Sequence, residues 1–228
     1  MMRGYEAQYT TGEMTMINIE RVSVMNLENA IRGARNPMNS WSKSDSYYDD
    51  NGNYVLGPND IDLAGRLAHA GTDHRKFVRQ IFVSVDITAP LYWWKEFDTY
   101  KVGTVANSCS TMHKIHTKEF TRDDFSCDRL DEGGLKALDA LIAYLESERQ
   151  AFCADKTNRQ PWHNIIQLLP TSYNQMRTVT LNYECLINMY YARKSHKLAE
   201  WHTLCDWIKT LPYANELILV KDEKGENH

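Results

Sequence analysis

Apolar and polar positions alternate through residues 80–88, where Ile81, Val83, Val85 and Ile87 occupy every second place. A period of two predicts a strand buried on at least one face. Residues 17–24 read as an earlier strand and 27–33 as a short helix. Residues 36–58, rich in Asn, Ser, Asp, Gly and Tyr, read as a long loop or partly ordered arm. Segments of that length often serve as lids or interfaces. Asp60 is placed to cap a helix over 61–70. An aromatic helix is expected over 91–100, carrying Tyr92, Trp93, Trp94 and Phe97. Leu135, Leu138, Leu141, Ile142, Leu145 and Phe152 then recur at helical spacing behind Gly133-Gly134. Further helices are expected over 162–168, 173–193 and 198–210, and the charged residues 221–228 read as a frayed tail.

Composition changes this picture little. A chain of 228 residues, 43% of them hydrophobic, can bury a substantial core, which removes disorder as the default. With no internal repeat or linker, residues 1–228 read as a single domain. A net charge of −4 argues against broad nucleic-acid or acidic-membrane binding. It leaves room for a local basic pocket. Cys109, Cys127, Cys153, Cys185 and Cys205 show no CxxC spacing. Residues 1–9 are polar, and no apolar run approaches the ~20 residues that span a bilayer. The expectation is a cytoplasmic protein with reduced thiols, in which Cys185 acts as a small buried hydrophobe.

The richest stretch for chemistry is 169–193, LPTSYNQMRTVTLNYECLINMYYAR. Asn182, Asn188 and Arg193 would lie along a helix of roughly three turns, set in apolar and aromatic surroundings. Two amides and a guanidinium suit a planar ligand with carbonyls, ring nitrogens or phosphates. The plainer alternative keeps the amides on nearby backbone and the arginine on the solvent face, or paired with Glu184 or Glu200. Trp93-Trp94 could stack on a planar ring, but packing under a helix or in a subunit interface is the expected role. His69, His74, His113 and His116 lack ligand spacing, so no metal is expected; His113 and His116 are expected to face solvent or a phosphate. Asp123-Asp124 and Asp131-Glu132 read as solvated loop acids or helix N-terminal charges. There is no GxGxxG, P-loop or GxSxG motif.

Leu169-Pro170, Asn182, Leu186, Asn188, Arg193 and Ala199-Glu200-Trp201 resemble the C-terminal signature of flavin-dependent thymidylate synthases, which reads LP, NxRxLxN, LR and AQW. Glu184 departs from it, standing where that family has arginine. Ile87-Thr88-Ala89-Pro90-Leu91-Tyr92 is similar to the family's IxAPIF, and Ala34-Arg35 with Ser40-Trp41 to its ARxSW. Between these blocks the family's RHRxxS signature is degenerate: the same register gives Thr99, Tyr100, Lys101 and Thr104. Loss of an arginine and a histidine there is a chemical departure. Residues 106–114 cover the family's NExSxRY segment in either of two registers, one setting Asn107 and Cys109, the other Asn107 and Ser110, on family positions. The resemblance runs from about residue 17 to 217, specific at the C-terminal helix and over 87–92 and weak between them.

That resemblance implies an α/β fold, a single thymidylate-synthase-complementing-type domain with an antiparallel or mixed sheet and long helices. It implies FAD as cofactor, with NADPH and methylenetetrahydrofolate as co-substrates, and a pyrimidine deoxynucleotide of the deoxyuridylate type as the molecule methylated. Arg193 falls on the substrate-activating position. Thr99, Tyr100, Lys101, Thr104, Asn107, Asn182 and Asn188 fall on cofactor-contacting positions. Glu96, Asn107, Ser108, Cys109 and Ser110 join Arg193 on the substrate side. The family assembles as homotetramers whose sites draw on several chains, without nucleic-acid or membrane partners. Two alternatives remain: a nucleotide- or flavin-binding protein of this fold that has lost methylation, and a structural or interaction protein.

Overall fold

A computed structural model describes residues 17–220. The polar start and the tail expected to fray lie outside the described residues. The chain runs β1 (Asn18–Met25), α1 (Leu27–Arg35), a short hairpin of β2 (Tyr47–Tyr48) and β3 (Tyr54–Val55), then α2 (Pro58–His69). There follow β4 (Phe82–Pro90), α3 (Leu91–Phe97), β5 (Val105–Ser108), α4 (Thr111–Lys114), α5 (Glu132–Ala154) and α6 (Gln160–Leu168). It closes with β6 (Asn174–Asn182), α7 (Tyr183–Arg193), α8 (Ala199–Ile208) and α9 (Ala214–Leu217). This is an α/β fold on a four-stranded sheet of order β1-β4-β6-β5, every pair antiparallel.

The alternation in 80–88 does what a period of two requires. Val83, Val85, Ile87 and Ala89 are buried, and Ser84, Asp86 and Thr88 point to the opposite face. There Thr178 donates to Asp86 at 2.6 Å and Thr180 to Ser84 at 3.3 Å, cross-strand pairs that fix the register. The apolar face packs under α1, α2, α7, α8 and α9. Trp93, Trp94 and Trp201 are fully buried in that layer, with Trp93 4.8 Å from Trp201 and 5.1 Å from Phe97 between ring centroids. Trp93 and Trp94 therefore pack instead of offering a stacking surface. A second cluster forms where Leu138 and Leu145 of α5 and Ile165 of α6 meet Ile115, Phe120 and Phe125. Asp131 caps α5, accepting from the Gly134 amide at 2.8 Å.

Two expected elements need correction. Residues 173–193 are not one helix: 174–182 form β6, with Gln175, Val179 and Leu181 buried in alternation. Thr178, Val179 and Thr180 favour a pleated surface, and pairing with β4 along its whole length overrides any helical tendency. Asp60 is not a helix cap. The helix starts at Pro58, whose ring suits a first turn, and Asp45 from the preceding arm accepts the Asn59 and Asp60 amides at 2.9 and 3.1 Å. Asp60 is instead fully buried. It accepts from Arg35 Nε, Ser44 and Ser46, each at 2.6 Å, and so pins the 36–58 arm to α1 and α2. The arm is ordered, with two 3₁₀ turns and the hairpin. No helix among the described residues is long and apolar enough to cross a membrane.

Burial alone would raise the Asp60 carboxyl, but hydrogen bonds from Ser44, Ser46 and Arg35 outweigh it and hold the pKa below the ordinary carboxylate value. A depressed folded pKa contributes stability that is full above the unfolded value of ~4 and is lost as pH falls through the folded one. Asp60→Ala, which strands Arg35 in the interior, is expected to lower the unfolding free energy by about 3–5 kcal/mol. Urea denaturation at neutral pH measures it, and the variant should lose part of the wild type's decline in stability under acid. A loss below about 1 kcal/mol would show that Arg35 finds another partner.

Candidate functional site

Arg193 ends α7, and its guanidinium lies over the Trp201 ring at 4.6 Å from the centroid. Its Nε donates to the Tyr100 hydroxyl at 2.9 Å and its Nη1 to Glu96 Oε2 at 3.1 Å. The same Glu96 oxygen accepts from Trp201 Nε1 at 2.9 Å and lies 3.3 Å from His196 Nε2. One carboxylate oxygen thus gathers three neighbours from α7, α8 and the turn between them. Arg193 Nη2 and Glu96 Oε1 make no hydrogen bond among the described residues. The Arg193 side chain is 18% exposed and that of Glu96 34%, so both atoms belong to partly open side chains.

Three residues expected at the site from distant parts of the sequence, Glu96, Tyr100 and Arg193, therefore meet. The solvent-facing alternative for Arg193 does not hold, nor does pairing with Glu184 or Glu200. Glu184 pairs with Arg75 at 3.3 Å, and Glu200 accepts from the Tyr92 hydroxyl. Burial, together with that carboxylate, pushes the Tyr92 phenol well above its ordinary value. His196 and Trp201 were not expected as site residues. Trp201 was legible only as part of the AQW-like triplet.

A second neighbourhood forms at the start of α7. Asn182 caps the helix, its Oδ1 accepting from the Cys185 amide at 3.0 Å. It stands at the helix start, not within a three-turn row. The buried Cys185 thiol donates to the Val102 carbonyl at 3.2 Å, which docks the 100–104 loop onto this helix end. Gly103 makes the approach possible. At φ 76 a Cβ there would lie 3.0 Å from both Asn182 Nδ2 and Cys185 Sγ. The Thr104 hydroxyl is buried with no partner. Thr99 spends its hydroxyl on the Glu96 carbonyl at 2.7 Å, while Lys101 and Asn188 are exposed.

Asn107 and Ser108 lie on the exposed β5, opposite Thr178 and Arg177. Arg177 reaches back to Asp98 at 2.8 Å with its guanidinium 4.3 Å over Trp94, tying β6 to the end of α3. Cys109 joins β6 through backbone, and Ser110 caps the four-residue α4. Cys109, Ser110, Lys114, Tyr173 and Gln175 line a cleft of about 230 Å³. None of residues 107–110 hydrogen-bonds to the Arg193 cluster. His113 is exposed, as expected. His116 is not turned to solvent: it packs edge-on to Phe152 with Nδ1 buried and unpartnered. Burial and the nearby Lys156, Lys114 and Arg149 hold its pKa below the usual histidine value. Among the described residues no group of three or more His, Cys, Asp or Glu is arranged to hold a metal ion.

No protein-family model and no curated protein matches the chain. Solved structures do. Flavin-dependent thymidylate synthase ThyX from Helicobacter pylori, complexed with FAD and dUMP, superposes with a TM-score of 0.62 at 18% identity, covering 90% of this chain and 99% of that one. The UMP/dUMP methylase PolB from Streptomyces cacaoi, bound with 5-Br dUMP, gives 0.59 at 14% identity, covering 89% and 94%. At such identities these likenesses show the shared fold.

The Gly103 contact yields a direct test. Gly103→Ala is expected to destabilise the protein by about 1–3 kcal/mol through strain at positive φ together with the clash against Asn182 and Cys185. Thermal unfolding measures it, and Cys185→Ala in the same background should recover part of the loss by opening space.

Proposed function

We propose that the chain is a flavin-dependent enzyme acting on a pyrimidine nucleotide of the deoxyuridylate type, by reductive methylation of its ring. The observation that carries this reading is the Arg193 guanidinium, held by Tyr100 and Glu96 over Trp201 with Nη2 left free, in a fold shared with proteins complexed with FAD and dUMP. A planar donor fixed in this way can meet the imide edge of a pyrimidine and stabilise the negative charge that builds there. Glu96 Oε1 can accept the adjacent ring N–H. Fixing both partners before the ligand arrives lowers the ordering cost at binding.

The residues around Gly103 fit a flavin, though sparsely. The unpartnered Thr104 hydroxyl and the exposed Asn188 amide suit a polar ring edge, and Lys101 supplies a cation for phosphate. A flavin bound there supplies the hydride, NADPH its electrons, and methylenetetrahydrofolate the carbon. The side chains of this protein orient the pyrimidine, bear its charge and exclude water. The reading also carries one domain over 1–228 and assembly as a homotetramer, which would bring residues 107–110 of another subunit toward Arg193; light scattering reads the assembly state. A second reading, binding without methylation, is supported by Thr99 and Tyr100, whose hydroxyls serve Glu96 and Arg193 in place of cationic phosphate contacts.

FAD affinity tests the cofactor. Absence of two charge-assisted contacts at Thr99 and Tyr100 should weaken binding by roughly 1.5–3 kcal/mol each relative to a site that has them. Titration by flavin fluorescence is expected to give micromolar rather than nanomolar affinity. Nanomolar binding would mean that other residues hold the phosphates.

Arg193 tests the whole reading. Arg193→Ala is expected to abolish deoxyuridylate binding, measured by calorimetry with and without FAD, while circular dichroism stays unchanged. Arg193→Lys should rescue poorly, because an ammonium cannot reproduce the planar fork. Unchanged nucleotide binding in Arg193→Ala would sink the assignment, and no binding to either protein would sink the nucleotide reading itself.

A further inference from the structure

A second cleft lies away from Arg193, between α1 and the 36–58 arm. It encloses about 260 Å³, and its walls include Arg32, Arg35, Trp41, Tyr47, Tyr48 and Tyr54. Trp41, Tyr47 and Tyr48 are 41%, 57% and 52% exposed, an unusual density of open aromatic surface for one short arm. Trp41 and Tyr48 are held in place. Trp41 Nε1 donates to Asn36 Oδ1 at 2.9 Å, the Tyr48 hydroxyl donates to Glu28 at 2.5 Å, and the Tyr54 ring meets Tyr48 edge-on at 5.3 Å. The arm beneath them is anchored by the buried Arg35–Asp60 pair.

Arg35 supplies the independent signal. It is only 5% exposed, donates Nε to Asp60 and Nη1 to the Ser40 carbonyl, and leaves Nη2 buried with no partner. Buried guanidinium nitrogens without acceptors are disfavoured, and such an exception asks for a partner. Asp60 Oδ2 accepts from the Ser44 and Ser46 hydroxyls and the Ser46 amide, and Oδ1 accepts from Arg35 Nε; neither oxygen reaches Nη2. Arg32 stands at the rim with its guanidinium 5.5 Å over Trp41. The unused hydrogen-bonding capacity of the two arginines is donor only. The wall is aromatic apart from Ser44, Ser46 and the Glu28 carboxylate, which accepts from the Tyr48 hydroxyl and is outnumbered by the two guanidinium groups.

We infer that this cleft is a second ligand site, for a planar heteroaromatic ring bearing acceptors and an anionic group, of the size of a mononucleotide. The ring stacks among Trp41, Tyr47 and Tyr48, an acceptor on it meets Arg35 Nη2, and the anionic group meets Arg32. A volume of about 260 Å³ falls below the ~300–1,000 Å³ of clefts for larger ligands, which excludes a whole dinucleotide. The inference does not depend on the role proposed for Arg193.

Calorimetry with adenosine monophosphate as the probe tests it, with inorganic phosphate as control. Binding is expected at sub-millimolar concentration, weakened at least about tenfold by Trp41→Ala and by Arg32→Ala, both at exposed positions where folding should survive. It should be unchanged in Arg193→Ala. No binding of the probe up to millimolar concentration overturns the inference. Binding that survives Trp41→Ala and disappears in Arg193→Ala also overturns it, by assigning the nucleotide to the other site. Equal competition by inorganic phosphate alone overturns the ring-binding part and leaves an anion site.

Discussion

The pairing of β4 with β6 sets everything else. It runs unbroken from Phe82 opposite Asn182 to Pro90 opposite Asn174, a span of ~27 Å at ~3.4 Å per residue. The strands are antiparallel, so the helices that follow them begin at opposite ends of the sheet: α3 beside Asn174 and α7 beside Phe82. Eleven residues of α7 cover ~16 Å and seven of α3 cover ~10 Å, together about the length of the pairing. The two helices approach each other at their C-terminal ends. Arg193, the last residue of one, reaches Glu96 on the final turn of the other. A register slip would move both helix starts and turn the buried faces outward.

The aromatic layer makes that meeting rigid. Trp93 and Trp201 pack ring to ring, and Phe97 lies parallel to Trp201. With Trp201 fully buried, its indole N–H has to find an acceptor, and Glu96 provides it. The Glu96 carboxylate is thus oriented by the core before Arg193 contributes anything. Packing, not attraction between charges, decides where the guanidinium sits. At a partly exposed ion pair the Coulomb gain is modest.

Much of the architecture was legible because it follows local rules. The alternation through Val83, Val85 and Ile87 and the stripe from Leu135 to Phe152 are properties of short windows, and both gave the right element. The error at 173–193 arose where rules competed. Gln175, Arg177 and the threonines break an apolar run, and the helical spacing downstream of Asn182 extends visually across them. Asp60 deceived for a different reason: its spacing to Ile61 is that of a cap, while the arm supplies a better one from Asp45. His116 has no local signature at all, since its burial comes from Phe152 on α5. The Arg193 cluster joins residues more than ninety positions apart, which no periodicity encodes. The resemblance placed Arg193, Tyr100 and Glu96 at the site without showing that they touch.

Glu96 sharpens the chemistry asked of Arg193. Under the proposed reading, a carboxylate next to an arginine that would stabilise developing negative charge is counterproductive at first sight, because its own charge opposes that of the transition state. Its surroundings reduce the conflict. Oε2 takes hydrogen bonds from Arg193 and the Trp201 indole with the His196 ring beside it, so the charge is shared among several groups. Oε1 and Arg193 Nη2 make no hydrogen bond among the described residues, which leaves one acceptor and one donor for a ligand under the proposed reading. An acceptor–donor pair reads a ring edge that offers N–H next to C=O, and it disfavours one that presents two acceptors to it. Under the proposed reading, some electrostatic assistance is given up in exchange for orientation, which is what a cofactor-driven transfer would ask of the protein.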